Sequence, residues 1–78
     1  MIVMVYEALD PKGKEVEIRC FSEIQNLLNG PVDDTGLIEN EMCLLVNKLN
    51  VGQENQKYPH LIGTVVLAPR EYTELPFK

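Results

Sequence analysis

The chain contains only one histidine and two cysteines, which is too few for the common metal and nucleophilic sites. His60 has no serine or cysteine nucleophile beside it in a recognisable pattern, and nucleophilic catalysis requires a base held next to the nucleophile. Cys20 and Cys43 lack CxxC spacing and lie in apolar stretches, so buried free thiols are expected, as in a reducing compartment. The sequence predicts no catalytic residue, no cofactor and no metal, and therefore not an enzyme.

Positive charge is also scarce. Seven Lys and Arg residues against twelve Asp and Glu residues give a formal net charge of −5, and the seven form no run. A negative chain repels phosphate groups, so direct binding to nucleic acid is not predicted. Neither of the common glycine-rich nucleotide-binding motifs occurs. An acidic surface suits solubility, and it also suits a basic partner.

Long apolar stretches that would cross a membrane are missing as well. The first apolar run, from Met1 to Tyr6, has no basic region before it and ends at Glu7. We therefore expect no signal peptide, no transmembrane span and no membrane partner, and we expect a cytoplasmic protein.

The sequence does contain two uninterrupted apolar runs, residues 42–46 and 61–67. Neither alternates apolar with polar residues, so each predicts a strand covered on both faces. A domain of 78 residues with one helix has little material for a second cover. We expect that cover to come from the C-terminal tail, a second copy of the chain or a partner, and a symmetric dimer is the commonest solution.

Turn and cap signals divide the remainder. Strands are predicted over residues 2–8 and 15–20, joined by a turn at residues 10–14. A short helix should follow, with Ser22 as N-cap, Gln25 as its capping partner and Gly30 at its end. Residues 31–38 are compatible with either a short edge strand broken by a turn or a loop.

These elements predict an α+β fold: a mainly antiparallel sheet of four or five strands with one short helix on one face. Residues 1–68 are expected to form this single domain. Residues 69–78 are expected to form a tail that packs on the domain or at an interface, because Pro69 ends the last strand.

Two groups of polar residues are candidates for function. The first is an acidic cluster with the members Asp33, Asp34, Glu39 and Glu41. Its spacing does not match a calcium loop, which favours a solvated acidic turn. Two functional interpretations stay open: a site for a metal ion, and a surface that faces an Arg-rich groove on a partner. Partner binding is the favoured functional interpretation.

The second group lies in the long polar segment 47–60, where amides and a tyrosine hydroxyl are concentrated: Asn47, Asn50, Gln53, Asn55 and Tyr58. Connections of this length are often functional. The segment is compatible with binding a partner, binding a small ligand or simply facing solvent.

The order of these elements, with Leu45-Val46-Asn47 before the loop and Ile62-Gly63-Thr64-Val65-Val66 after it, resembles a family of uncharacterised small domains. Phages, plasmids and other mobile elements of mainly Gram-positive bacteria encode that family. It has no established activity, so the resemblance implies no catalytic residue. It implies a mobile-element setting, where short acidic proteins often bind and block host machinery.

The sequence therefore predicts a non-enzymatic interaction protein that modulates or inhibits a host protein, such as a nucleic-acid enzyme or a defence component. A homo-oligomer is expected. Two alternatives stay open: a sensor that binds a small ligand at the 47–60 loop, and a metal-dependent enzyme that uses the 33–41 acidic cluster.

Overall fold

The computed structural model describes all 78 residues. The elements are β1 Ile2–Tyr6, β2 Lys14–Glu17, α1 Phe21–Leu28, β3 Val32–Glu39, β4 Met42–Asn47, β5 Val65–Pro69 and a 3₁₀ turn, Arg70–Glu74. The five strands form one sheet in the order β2-β1-β5-β4-β3, and every neighbouring pair is antiparallel. The predicted α+β fold with one short helix is confirmed, and neither helical segment is long and apolar enough to cross a membrane.

Alternation along the inner strands divides the core into two layers. In β4, Cys43 and Leu45 belong to a cluster on the side of α1, whereas Leu44 and Val46 belong to a second cluster on the opposite side. We call these sides the helix face and the loop face. Strands β4 and β5 lie inside the sheet, which explains why their sequences are apolar without interruption.

The helix face is covered by α1 and by the C-terminal segment. Ile24 and Leu28 of α1 and Tyr72 of the 3₁₀ turn are buried in its core cluster. The tail also serves the helix end, because the Pro76 and Phe77 carbonyls accept hydrogen bonds from the N–H groups of Phe21 and Ser22, at 2.8 and 2.9 Å. These bonds satisfy donors that have no partner within the helix.

The loop face is covered by the connection between β4 and β5, residues 48–64, which we call the covering loop. Tyr58 is buried there with Leu44, Val46, Val65 and Leu67, and Leu61 packs against them. The C-terminal tail, one of the three covers expected from the sequence, lies on the helix face instead. The chain covers its second face with a mostly polar segment in which two residues, Tyr58 and Leu61, face the sheet.

The second apolar run enters the sheet later than its sequence predicts. Strand β5 begins at Val65, and Leu61–Thr64 belong to the covering loop. Gly63 adopts φ 79°, and its N–H donates to the Gln53 carbonyl at 2.7 Å. This left-handed residue turns the chain before the strand starts.

The helix begins at Phe21, two residues earlier than a cap at Ser22 predicts. Cys20, in an extended conformation, is the N-cap, and Glu23 is the residue three positions on. The Glu23 carboxylate accepts hydrogen bonds from the N–H groups of Arg19 and Cys20, and these bonds lower the pKa of Glu23. The predicted Ser22–Gln25 pair is wrong because both residues lie inside the helix.

Strand β3 settles the two alternatives for residues 31–38 in favour of an interrupted edge strand. Its pairing with β4 shifts register between Asp34 and Ile38. Within that irregularity the Gly36 N–H donates to the Asp34 carboxylate and the Leu37 N–H donates to the Thr35 hydroxyl, at 2.9 and 3.1 Å. Both amides are therefore occupied by the strand's own side chains, which hinders the addition of another strand at this edge.

Candidate functional site

The acidic cluster of the sequence is divided between the two faces of the sheet. Asp34 pairs with Leu45 and lies on the helix face, where its carboxylate accepts a hydrogen bond from the Tyr72 hydroxyl at 2.7 Å. Glu39 lies on the loop face, and its carboxylate accepts a hydrogen bond from the Tyr58 hydroxyl at 2.5 Å. Each carboxylate ties the edge strand to the segment that covers its own face.

The two tyrosine hydroxyls are held in the protonated form. Burial raises the pKa of both Tyr58 and Tyr72, and the hydrogen bonds to Glu39 and Asp34 raise it further. A raised pKa in the folded state means that the unfolded chain releases these protons first as the pH rises. The stability from the protonated hydroxyls is therefore complete below the ordinary tyrosine pKa of about 10 and is lost progressively above it.

Removing both hydroxyls should change the alkaline stability of the protein. We expect Tyr58→Phe/Tyr72→Phe to lose about 2–3 kcal/mol of unfolding free energy at pH 7, because each bond is made to a charged acceptor. Between pH 9 and 11 the double variant should lose less stability than the wild type. Urea unfolding at several pH values measures both effects, and parallel alkaline profiles for the two proteins would contradict this role of the tyrosines.

No group of three or more His, Cys, Asp and Glu side chains is placed to hold a metal ion. Asp33 and Glu39 share the loop face but pair with Val46 and Met42, four positions or about 13 Å apart along β4. Glu41 is exposed in the β3–β4 turn.

The cysteines and the histidine lie apart from these carboxylates. Cys43 is buried, Cys20 is only half-buried, and the single His60 is exposed on the covering loop.

Asn55 holds the covering loop in place. Its side chain is fully buried, and Nδ2 donates to the carbonyls of Tyr6 and Gly63, at 3.0 and 2.9 Å. Its Oδ1 accepts from the N–H groups of Lys57 and Tyr58, at 2.9 and 3.0 Å. All four bonds are internal, so the amide of Asn55 has no capacity left for a partner.

Asn47 is likewise committed to the fold. Its Nδ2 donates to the carbonyls of Leu28 and Asn29 at the end of α1, and its Oδ1 accepts from the Leu49 N–H. A Cβ on Gly30 would lie 2.6 Å from Nδ2 of Asn47, so glycine is required for this close approach. Among the loop candidates, only Asn50 and Gln53 are exposed.

The structure adds a groove that the sequence did not reveal, at the end of the sheet where the β3–β4 turn meets the start of the 3₁₀ turn. Its volume is about 510 Å³, and its lining consists of Ile38, Asn40, Glu41, Met42, Pro69, Arg70 and Glu71. Pairing of β4 with β5 sets Met42 opposite Pro69. Nearly thirty positions of sequence separate these two halves, and no local pattern connects them.

Charge is distributed unevenly around the sheet. We define the acidic edge as Asp33, Asp34, Glu39, Glu41 and Glu71. The one salt bridge of the molecule joins Lys14 to Glu7 near β2, the strand at the opposite edge. None of the carboxylates of the acidic edge forms a salt bridge, and Arg70 is the one cation in the groove that Glu41 and Glu71 line.

Comparison with known proteins gives no relative. No protein-family model matches the chain, no curated protein matches it, and no solved structure matches it.

Proposed function

We propose that this chain is a non-enzymatic interaction protein that binds a basic surface of another protein through its acidic edge. The observation that carries the proposal is the concentration of carboxylates along β3 and its turn, where the sequence has no Lys or Arg, while Lys12, Lys14 and Arg19 lie in or beside β2 at the opposite edge. Unpaired surface charge of one sign accelerates encounter with a partner of the opposite sign and disfavours partners of the same sign.

The resemblance to small domains of mobile elements supports a biological setting for this proposal. In that setting the partner is a host protein in the bacterial cytoplasm, such as a nucleic-acid enzyme or a defence component, and binding modulates or inhibits it. Enzymes that act on nucleic acid carry basic grooves for phosphate, and an acidic edge is complementary to such a groove.

Charge reversal at the acidic edge tests the proposal. We choose Asp33→Lys/Glu41→Lys, because Asp34 and Glu39 also accept the tyrosine hydrogen bonds. The matched control is Glu15→Lys/Glu17→Lys, which changes the net charge equally at exposed positions of β2. Each protein is immobilised, and the host proteins that the wild type captures are quantified by mass spectrometry.

The acidic-edge variant should bind the host protein that the wild type captures at least tenfold more weakly. This loss corresponds to about 1.4 kcal/mol of binding free energy. The control should retain it, and capture by the wild type should fall as salt is raised. Equal capture by the two variants would contradict a role for the acidic edge.

The alternatives have less support. A small-ligand sensor at the 47–60 loop would need free polar groups, but Asn47, Asn55 and Tyr58 use theirs internally. A metal-dependent enzyme would need the acidic side chains to converge, and they lie on two faces. A homo-oligomer stays a prediction. The covering loop packs on the sheet face that the sequence left without a cover, so that face gives no argument for a second copy.

A further inference from the structure

We propose that the groove between the β3–β4 turn and the 3₁₀ turn is the docking site for a short basic segment of the partner that carries an apolar side chain between cationic residues. This inference rests on the proposed function and names the part of the acidic edge that recognises the partner. The apolar side chain enters the groove, and the cations contact Glu41 and Glu71 on its rim.

The groove offers one exposed apolar side chain. Ile38 is 51 % exposed although it lies in a strand, and it pairs with Cys43 on the helix face. Met42 also lines the groove but packs against the loop-face cluster. A volume of about 510 Å³ lies within the range of roughly 300–1,000 Å³ that is typical of ligand clefts. Apolar surface surrounded by polar groups is the usual arrangement at the centre of a protein interface.

The rim is suited to positive charge. Glu41 and Glu71 line the groove and are exposed. Arg70 is the single cation of the lining and forms no salt bridge. Its guanidinium is free to donate hydrogen bonds to backbone carbonyls of a docked segment.

A second copy of the chain fits this site poorly. The exposed large apolar residues outside the groove are Ile2, Leu9, Leu37, Leu49, Val51 and Phe77, and none has a basic residue on both sides in the sequence. Two copies that met at this site would also bring acidic edges close together, which costs free energy. The charges therefore favour a different, basic protein.

Synthetic peptides and NMR provide the test. The ¹⁵N-labelled protein is titrated with the peptide Lys-Lys-Leu-Lys-Lys, with Lys-Lys-Ser-Lys-Lys, which lacks the apolar side chain, and with Glu-Glu-Leu-Glu-Glu. The leucine peptide should shift the amide signals of Ile38, Met42 and Arg70. The serine peptide should bind about tenfold more weakly, since burial of a leucine side chain is lost, and the glutamate peptide should not bind.

Paired variants locate the contact. Ile38→Thr should weaken binding of the leucine peptide about fivefold, whereas Ile2→Thr, at another half-exposed strand isoleucine, should leave it unchanged. Glu41→Lys/Glu71→Lys should abolish binding, and Glu15→Lys/Glu17→Lys should not.

Two other outcomes would contradict the proposal that the groove is the docking site. Equal binding of the leucine and serine peptides, with shifts spread over Asp33 and Asp34, would overturn the groove and leave the acidic edge as a general cation-binding surface. Absence of shifts with every peptide would also overturn the groove. The proposed function would fall separately, only if reversal of Asp33 and Glu41 left capture of the host protein intact.

Discussion

Replacing Tyr58 with alanine is expected to lower the free energy of unfolding by about 4 kcal/mol, because large aromatic side chains in cores cost this much when truncated. The ring is buried in the loop-face cluster and meets the ring of Tyr6 edge to face, with centroids 5.6 Å apart. Without it the covering loop loses its largest anchor. A domain of 78 residues has a total stability of roughly 4–12 kcal/mol, so the variant should be close to unfolding.

Urea unfolding followed by circular dichroism measures this loss, and binding of the dye ANS reports whether the loop face becomes exposed. Tyr58→Phe is the matched control, since it keeps the ring and removes only the hydrogen bond to Glu39, at a cost of about 1–2 kcal/mol. If alanine cost no more than phenylalanine, the ring would not be what covers this face.

Replacing Asn55 with alanine is expected to cost about 3 kcal/mol, although the change removes only a small polar side chain. The substitution removes the partner of the carbonyls of Tyr6 in β1 and of Gly63, and of the N–H groups of Lys57 and Tyr58. An unsatisfied buried group costs about 1–3 kcal/mol before water and relaxation compensate. Hydrogen exchange of the covering loop should accelerate more than that of the sheet.

Gln56→Ala is the control for this prediction, because Gln56 is the next residue, its side chain is exposed, and its backbone hydrogen bond to the Ala8 carbonyl is kept in the variant. We expect a change of less than about 0.5 kcal/mol for this surface substitution. A loss at Asn55 as small as that at Gln56 would mean that the four hydrogen bonds do not hold the loop.

The sheet was predictable because its signals are local. Val16 in β2 and Ile18 just after it alternate with charged residues in the sequence, and both contact the helix-face core. The uninterrupted apolar runs indicated strands inside the sheet. The bulge in β3 was foreseeable only as a turn within an extended segment, since its amide partners depend on how the edge strand pairs. Strand β5 begins later than the sequence predicts because Gly63 donates a hydrogen bond to the Gln53 carbonyl. The helix begins earlier because Cys20, and not Ser22, is its N-cap.

The origin of the second cover was not predictable, for a physical reason. A polar loop can cover a sheet if a few residues face inward, and here Tyr58 and Leu61 do so while Asn55 satisfies the backbone around them. Composition averages over such residues. The same averaging led to Asn47, Asn55 and Tyr58 being interpreted as partner-binding groups, since an exposed amide and a structural amide have the same sequence signature.

The groove was missed because its two halves come together only through the pairing of β4 with β5. Glu41 was recognised as part of an acidic cluster, whereas Ile38, Met42 and Arg70 had no signal that joined them to it. Functional surfaces formed by strand pairing are therefore less accessible to sequence reasoning than the strands themselves.

The account depends most on the chain covering both faces of its own sheet, which leaves the acidic edge for a partner. An isotope-filtered NOE experiment on an equal mixture of labelled and unlabelled protein tests this directly. We predict NOEs from the Tyr58 ring to the methyl groups of Leu44, Val46, Val65 and Leu67 that arise only within one chain. NOEs to these methyl groups from a second chain would contradict the account, because another copy would then be the cover.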